Sequence, residues 1–477
     1  MKEGTKGLTV KKSEDFSEWY TQVIQKAELA DYSDVKGFMV IKPNGYSIWE
    51  NIQKNFDKAI KRLGVRNAYF PLLIPESFFK KESEHAEGFS PEVAWIQKNK
   101  DDSERLAIRP TSETIIYDSY SKWIRSWRDL PLRINQWCNV VRWETKTTRL
   151  FLRTREFLWQ EGHCVYESEE ECEKETLIYL NEYKKICEKI LGIYVLEGKK
   201  TKSEKFAGAK NTYSVEAIMP DGKALQMATS HNLGQGFAKS FNIKFIDKDE
   251  KEKYPWQNSW GISTRTIGAM TMVHGDDKGL VLPPNLCENK IVIIPILFKK
   301  DKEKVLNKVK KIKSKLNRFN PILDDREEYS SGWKFHEWEL KGIPIRIEIG
   351  PNDVAKKQII LIRRDTHEKV IVKENDILSK ISEMLEDIQK KLFEKSRKFT
   401  LDNTIEANNM NELKKTIKDG KIALAFLCNS EKCEEHIKDQ ASGAKTLNIP
   451  LDQPKKLEKC IVCGSQSSYI VRIGKSY

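Results

Sequence analysis

A chain of 477 residues is long enough for two to four domains with full-sized cores. Its 83 Lys and Arg against 70 Asp and Glu leave a net charge of +13, which favours a polyanionic partner, nucleic acid first, although lysine and glutamate are mixed throughout and charge alone decides nothing. The N-terminal MKEGTKGLTVKKSEDF holds no apolar core of signal-peptide length, and the longest clean apolar run, Ile291 to Phe298, is far too short to span a bilayer, so a soluble intracellular protein is expected, in which nine cysteines point to thiols or metal ligands rather than a disulfide framework.

In chain order, Phe16, Trp19, Tyr20, Val23 and Ile24 recur at helical spacing, and after the turn KPNG a second helix carries Ile48, Ile52, Phe56, Ile60 and Leu63 and stops at Gly64. VRNAYFPLLIP reads as a strand in which Pro71 suits an edge or bulge. RPTSETIIYDSYSKWI opens another helix, with Thr111 as N-cap and Glu113 in the first turn. INQWCNVVRWE and FLRTREFLWQEGH, joined by a short polar link, form an antiparallel hairpin. Residues 168 to 191 read as a helix, and the stretch up to 275 as strands with glycine-containing turns. The prolines of GLVLPPNLCENK mark a boundary. Beyond it come KIVIIPILF, a lysine-coated helix with Val305, Val309, Ile312 and Leu316, the alternating Ile343, Ile345, Ile347 and Ile349, then KQIILIRR. A closing helix through Leu378, Ile381, Leu385, Ile388 and Leu392 completes an α/β domain of roughly 100 residues. From about residue 400 onward a third unit carries four of the cysteines.

FLRTREFLWQEGH is unusual for a strand. Alternation puts Phe151, Arg153, Arg155, Phe157, Trp159, Glu161 and His163 on one side, interleaving aromatic and charged groups that a half-buried strand keeps apart. Such a face either lines a polar pocket or is an ion-paired surface. Across the hairpin Arg142 and Glu144 share a face, and because an arginine fork binds phosphate or carboxylate in bidentate fashion, Arg142 and Arg153 are expected within reach of one nucleoside triphosphate. Arg265, in SWGISTRTIG, sits among glycines and small hydroxyl residues that admit close backbone approach; otherwise it is a surface arginine on a strand-to-helix turn. Neither GxxxxGK[ST] nor a GxGxxG after a strand is present, so any phosphates must be held by arginines. Cys428 and Cys433, with four residues between them, and Cys460 and Cys463, in a CxxC, suit a tetrahedral zinc site of structural type, because all four ligands are protein groups. Cys138, Cys164, Cys172, Cys187 and Cys287 show no ligand spacing and are expected to be packed.

These residues resemble the signature motifs of class II aminoacyl-tRNA synthetases: LGVRNAYFPLL motif 1, VVRWE with FLRTREF motif 2, and GISTRTIG motif 3. RPTSET, FLRTREFLWQEGH, KFAGA, QMATSHNLGQ, SGWKF, ELKGIPIR and the final SY extend the resemblance to the prolyl-tRNA synthetases of archaeal and eukaryotic type, over nearly the whole chain. The resemblance implies a multidomain α/β protein: an antiparallel-sheet class II catalytic domain over 1–285, an α/β anticodon-binding domain over 286–397 and a small zinc-binding α+β domain over 398–477. It implies a cytoplasmic homodimer, not membrane-bound, that joins L-proline to the 3′ end of tRNA(Pro) with ATP and Mg²⁺, and a structural Zn²⁺. Thr111 and Glu113 would hold the proline ammonium, with Trp159, Glu161, His163, His231 and Ser263 completing the pocket. Arg142 would grip the proline carboxylate and the α-phosphate, and Glu144, Arg153, Thr154, Gln226, Thr229 and Arg265 would position ATP, Arg142 and Arg265 being the catalytic cations.

Arg346 and the IGPND turn would face the anticodon, but Asn352 stands where the family usually has Arg, and Ser331 where it has Pro. The terminal Tyr477 would reach back toward the active site. The span from His163 to Trp260 is too short for the editing domain that bacterial-type relatives insert there. Two other readings compete. A non-catalytic RNA-binding or regulatory paralogue has no need of the three arginines and the Thr111/Glu113 pair, all of which are kept. A class II enzyme for threonine, serine or glycine would share the arginines, but not RPTSET with FLWQEGH.

Overall fold

The computed structural model describes residues 7–83, 92–98, 103–144 and 147–477. Asp15 caps helix α1 (Phe16–Lys26), its carboxylate accepting the amide hydrogens of Ser17 and Glu18, and the helix buries Trp19, Tyr20, Val23 and Ile24 as the spacing predicts. Helix α2 (Pro43–Arg62) starts inside KPNG rather than after it, because proline at the first helical position has no amide hydrogen to leave unpaired. The strand expected over VRNAYFPLLIP breaks into β1 (Arg66–Asn67) and a separate Leu73–Pro75. Between them the Phe70 amide donates to the side chain of Gln136 at 2.5 Å, not to a strand partner, and Pro71 lies outside both pieces.

Helix α3 (Glu113–Trp123) leads to the hairpin of β2 (Leu132–Val141) and β3 (Glu156–Tyr166), antiparallel as expected. After α4 (Glu169–Lys185) come β4 (Leu196–Lys199), β5 (Asn211–Ile218), β6 (Ala224–Gly234) and β7 (Trp256–Ser263), and then α5 (Arg265–His274). The strands lie side by side in the order β4-β5-β6-β7-β3-β2-β1. Ser168 caps α4, and three glutamates in its first turn complement the helix dipole. Period-two alternation then sorts the sheet into two faces. On one face Tyr179 of α4 stacks on Trp260 at 4.1 Å and the Tyr183 hydroxyl donates to Gln160 at 2.6 Å, so the even-numbered residues are sealed under the helix. Trp159, Glu161 and His163 of β3 are left on the opposite face, level in the ladder with Ser263, Gly261 and Ser259 of β7.

The second unit has β8 (Ile291–Pro295), α6 (Lys302–Lys315), β9 (Ile322–Leu323), α7 (Ser331–Leu340), β10 (Ile345–Ile349), β11 (Gln358–Arg363), β12 (Lys369–Lys373) and α8 (Ile377–Asp402). Its sheet runs β9-β8-β10-β11-β12, with the first three strands parallel and the last two antiparallel. Ser331 is the first residue of α7, a position that tolerates serine and proline alike, and Ser330 supplies the cap. Arg364 ties this unit to the end of α5 through a bidentate pair with Asp276, at 2.6 and 2.7 Å.

The third unit contains β13 (Thr404–Glu406), α9 (Met410–Lys418), β14 (Ile422–Leu427), α10 (Glu431–Gln440), β15 (Lys445–Pro450) and β16 (Tyr469–Gly474). Strand β15 pairs with β4, Ile449 opposite Lys199 and Pro450 opposite Gly198, so one sheet of eleven strands runs through both the first and third units. Only glycine fits at 198, since a Cβ there would lie 2.4 Å from the Ile449 carbonyl oxygen. Among the described residues no helix is long and apolar enough to cross a membrane.

Candidate active site

The free face of β6, β7 and β3 forms the floor of a cavity of about 410 Å³. Trp159, Glu161, His163, Gln226, Thr229, His231 and Ser263 rise from those strands, Thr111 and Glu113 enter from the start of α3, and Arg142 and Arg265 close one end. A second cavity of about 360 Å³ adjoins that end, sharing Arg142, Phe157, Ser263 and Arg265 and adding Glu144, Arg149, Arg153, Thr154 and Tyr477. The residues named from sequence for the amino acid therefore meet in one chamber, those named for the nucleotide around its mouth and in the next.

Arg142 lies just past β2, its Nε donating to the Pro110 carbonyl at 3.1 Å and its guanidinium 5.4 Å from the Phe157 ring and 5.7 Å from the Trp159 ring. Arg265 is the first residue of α5, with Gln226 O 3.5 Å from its Nη1. Burial lowers the pKa of both; the neighbouring Arg142 and Arg153 charges lower Arg265 further, while Glu113, Glu144 and Glu161 work against the shift at Arg142. Two half-buried guanidinium groups thus stand close enough to repel one another at one end of the chamber, an arrangement that favours an anion between them. Glu144 and Arg153 pair at 2.7 Å, each side chain 43% exposed, so the pair is weak enough for an incoming phosphate to displace.

On the floor, Glu161 is saturated: its Oε1 accepts from Ser112, from Gln136 at 3.0 Å and from the Cys138 thiol at 3.4 Å, and its Oε2 faces His163 Nε2 at 3.1 Å. Burial pushes Glu161 up, but His163, Ser112 and Gln136 outweigh it and hold the carboxyl below its ordinary value. Burial pulls His163 down, yet the Glu161 bond and the Glu113 charge raise it net. Tyr117 fixes the other ring nitrogen at 3.1 Å. Gly162 sits between them on the sealed face, where a Cβ would fall 2.1 Å from the Trp260 ring.

His231, 3.0 Å from Thr212 Oγ1, is held down to about 3, first by burial and then by the charges of His163 and Lys200; burial likewise holds His274, bound to the Leu191 carbonyl, at about 4. A depressed histidine resists protonation only when folded, so its stabilising contribution is lost as pH falls below the unfolded value of about 6.5. His163, raised, has the opposite sign: its contribution is complete below about 6.5 and lost as pH rises through its folded value. Between pH 6.5 and 4.5 we therefore expect stability to fall by about 1.4 kcal/mol per pH unit for each of His231 and His274. Urea unfolding across that window checks this, with His274→Gln removing part of the slope; a flat acid limb in the wild type contradicts it.

Three expectations need correction. Ser112, not Thr111, occupies the N-cap position of α3; the Thr111 hydroxyl instead donates to Glu113 inside the cavity. The contact strip does not run the length of FLRTREFLWQEGH, because β3 starts at Glu156 and Phe151 is buried with φ of 60° in the preceding turn. Arg155 is held away from the cavity: its amide donates to Gly37 O (2.8 Å), its guanidinium to Glu144 O (3.1 Å) and Lys36 O (3.2 Å), and it stacks on Trp143 at 4.4 Å. Arg346 lies in the second unit, on β10, bound to Glu348 at 3.0 Å and Glu339 at 3.5 Å, its side chain 13% exposed. Phe157 lines the chamber as its place on the alternating face suggests, whereas Lys200, Glu204 and Thr212 in the wall carry no sequence signal and KFAGA is the one signal for Phe206 beside them.

The four clustered cysteines converge, with ligand atoms all within 4.8 Å of one another. Cys428 Sγ lies 3.5 Å from that of Cys433 and 3.7 Å from that of Cys463, against about 3.8 Å for sulfurs around a tetrahedral zinc with Zn–S of about 2.3 Å. The donor set fits a structural Zn²⁺.

Residues 95–274 match the tRNA synthetase class II core domain (G, H, P, S and T), 290–384 the anticodon binding domain, and 410–477 the C-terminal domain of prolyl-tRNA synthetase. A proline–tRNA ligase of Natranaerobius thermophilus is 50% identical over 95% of this chain and 94% of its own length. One of Alkaliphilus oremlandii is 50% identical over 97% and 96%. Proline–tRNA ligase 2 of Bacillus cereus is 48% identical over the whole of both chains. Matches of this extent, on a class II core whose arginines ring one cavity, show that the chain belongs to the proline–tRNA ligases, a family of class II aminoacyl-tRNA synthetases.

Proposed function

We propose that this chain activates L-proline with ATP to prolyl-adenylate and passes the prolyl group to the 3′ end of tRNA(Pro), without a cis editing domain. The observation that supports this most is the convergence of Glu113, Thr111 and Arg142 on one chamber that opens, at Arg142 and Arg265, onto the arginine-lined cavity. Proline's ammonium lies against Glu113 and Thr111 and its ring on Trp159, with His163, His231 and Ser263 shaping the pocket and Glu161 positioning His163. Its carboxylate meets Arg142. ATP occupies the second cavity, held by Glu144, Arg153, Thr154 and Arg265, and extends past Arg265 to Gln226 and Thr229 on the floor of the first. A proline carboxylate oxygen attacks the α-phosphorus in line, the bond from that phosphorus to the β-phosphate oxygen breaks, and pyrophosphate leaves. The tRNA hydroxyl then attacks the carbonyl carbon and AMP departs. No side chain is needed as nucleophile: fixed positive charge at Arg142 and Arg265 stabilises the equatorial oxygens, and positioning supplies the rest. Glu144, a hard oxygen donor on the wall, is the protein group that would hold a Mg²⁺ bound with ATP, which would supply neutralising charge to the phosphates.

The domain limits at 285 and 397, the archaeal and eukaryotic type, the homodimer and the cytoplasmic setting belong to the same proposal. The type is supported by architecture: the span from β3 to β7 is taken up by α4, β4, β5 and β6, and a cysteine-bearing unit follows the anticodon-binding one. The relatives compared above are bacterial, so the type describes domain layout, not source. The second limit falls within α8, so one continuous helix crosses that junction. Arg346 could reach an anticodon only by exchanging Glu348 and Glu339 for it.

ATP–pyrophosphate exchange with proline, alanine, serine, threonine and glycine tests the reading. Proline should be preferred, and alanine measurably activated, because a pocket discriminates against a smaller ligand by only about 1–3 kcal/mol per lost methylene. Exchange with another of these amino acids but not with proline overturns the assignment, and hydrolysis of alanyl-tRNA(Pro) in cis overturns the missing editing step.

A further inference from the structure

The loop between β4 and β5, residues 200–210, forms one wall of the amino-acid chamber, and its side chains point two ways. Lys200, Glu204 and Phe206 line the chamber. Thr201 and Ser203, between them, turn to the cysteine-bearing unit, where both hydroxyls donate to Oε2 of Glu434 on α10, Thr201 at 2.8 Å. Thr446 of β15 donates to the same oxygen at 2.8 Å. Glu434 is only 8% exposed, so these three hydroxyls replace water around a buried carboxylate oxygen, and losing them leaves an unsatisfied charge. At the rim, Lys445 pairs with Glu204 at 2.7 Å. At the inner end the Phe206 amide donates to Thr212 Oγ1 at 3.0 Å, that oxygen lies 3.0 Å from His231 Nδ1, and the Phe206 and His231 rings are 4.9 Å apart. The loop thus joins an anchor in one unit to groups in the chamber of the other.

We propose that Glu434 is a positioning residue for amino-acid binding: through Thr201 and Ser203 it sets the loop that carries Lys200, Glu204 and Phe206 against proline. The inference rests on reading the chamber as the proline site. It concerns KM for the amino acid and not the chemical step, because Lys200, Glu204 and Phe206 line the amino-acid chamber and not the adjoining cavity at the nucleotide end.

In the full-length protein, Glu434→Ala should raise KM for proline in pyrophosphate exchange by about tenfold while KM for ATP and kcat stay within about twofold. Glu434→Gln, which keeps an acceptor oxygen, should recover most of the loss. Amide hydrogen exchange should rise in residues 200–210 and not in β3 or β7. Ser203→Ala removes one donor from the loop side, leaves the cysteine-bearing unit intact, and should give a smaller shift of the same kind; it carries the test if the Glu434 variants fail to fold. An unchanged KM for proline with unchanged exchange in the loop overturns the proposal, as does a loss in which proline, ATP and kcat move together, the mark of a merely structural residue. A wild-type protein inactive with proline fails the function reading instead, while the loop exchange still reports on the anchor.

Discussion

Replacing Arg142 by alanine is expected to lower proline-dependent pyrophosphate exchange by about a thousandfold, in kcat as well as kcat/KM. The guanidinium stands where the two cavities meet, so in the proposed reaction it would touch both the attacking carboxylate and the phosphate at which charge develops, and the loss of one such donor is worth about 3–4 kcal/mol. The change should leave the fold intact. Arg142 and Arg265 repel one another, and among the described residues the hydrogen bond made by the Arg142 side chain is to the Pro110 carbonyl, so little of the fold depends on it. The measurement is therefore a pair, exchange kinetics with a thermal melt on the same protein. Exchange at the wild-type rate, or a collapse in stability that accounts for the lost activity, contradicts the role given to this residue. Arg142→Lys keeps the charge but not the fork and should recover only a small part.

Gly162→Ala should have the largest effect on stability of any single-methyl addition near the site. The new Cβ would lie 2.1 Å from ring atoms of Trp260, which cannot retreat because Tyr179 is stacked on its other side at 4.1 Å. Overpacking of this kind costs about 1–3 kcal/mol, and here β3 must shift to absorb it. The shift would carry Glu161 and His163, the residues on either side, away from Ser112, Gln136 and Tyr117, so KM for proline should rise together with a lower melting temperature. A variant as stable and as active as the wild type would show that the strands tolerate the methyl and that the close approach is incidental.

These two residues also show what could be read in the sequence. The hairpin of β2 and β3 was legible because its alternation is regular and its floor residues, Trp159, Glu161 and His163, keep that period through the strand. The same alternation failed at Phe151, Arg153 and Arg155, because a left-handed turn and a backbone bond to Gly37 bend the chain there, and period-two reasoning cannot see a partner more than a hundred residues away. The meaning of Gly162 is invisible without Trp260, nearly a hundred residues on. The cysteine set was readable because ligand spacing within each pair is local, while the seam that brings its unit onto β4 leaves no local mark. The wall formed by Lys200 and Glu204 had no periodicity to betray it, as a polar loop has no period; only the KFAGA match pointed to its neighbourhood.

The seam between β4 and β15 bears on the order in which this protein comes into being on the ribosome. Gly198 and Lys199 pair with β5 on one side, but the strand that covers their other side, β15, is translated roughly 250 residues later. In the interval the outer edge of β4 has no partner from its own chain, although the arginines and the chamber floor are already made, and an uncovered edge is where strands from other chains dock. Contacts this distant in sequence form late, since the intervening chain must first be brought together. If the first unit folds before the third is made, its sheet stays unfinished along one side until β15 arrives.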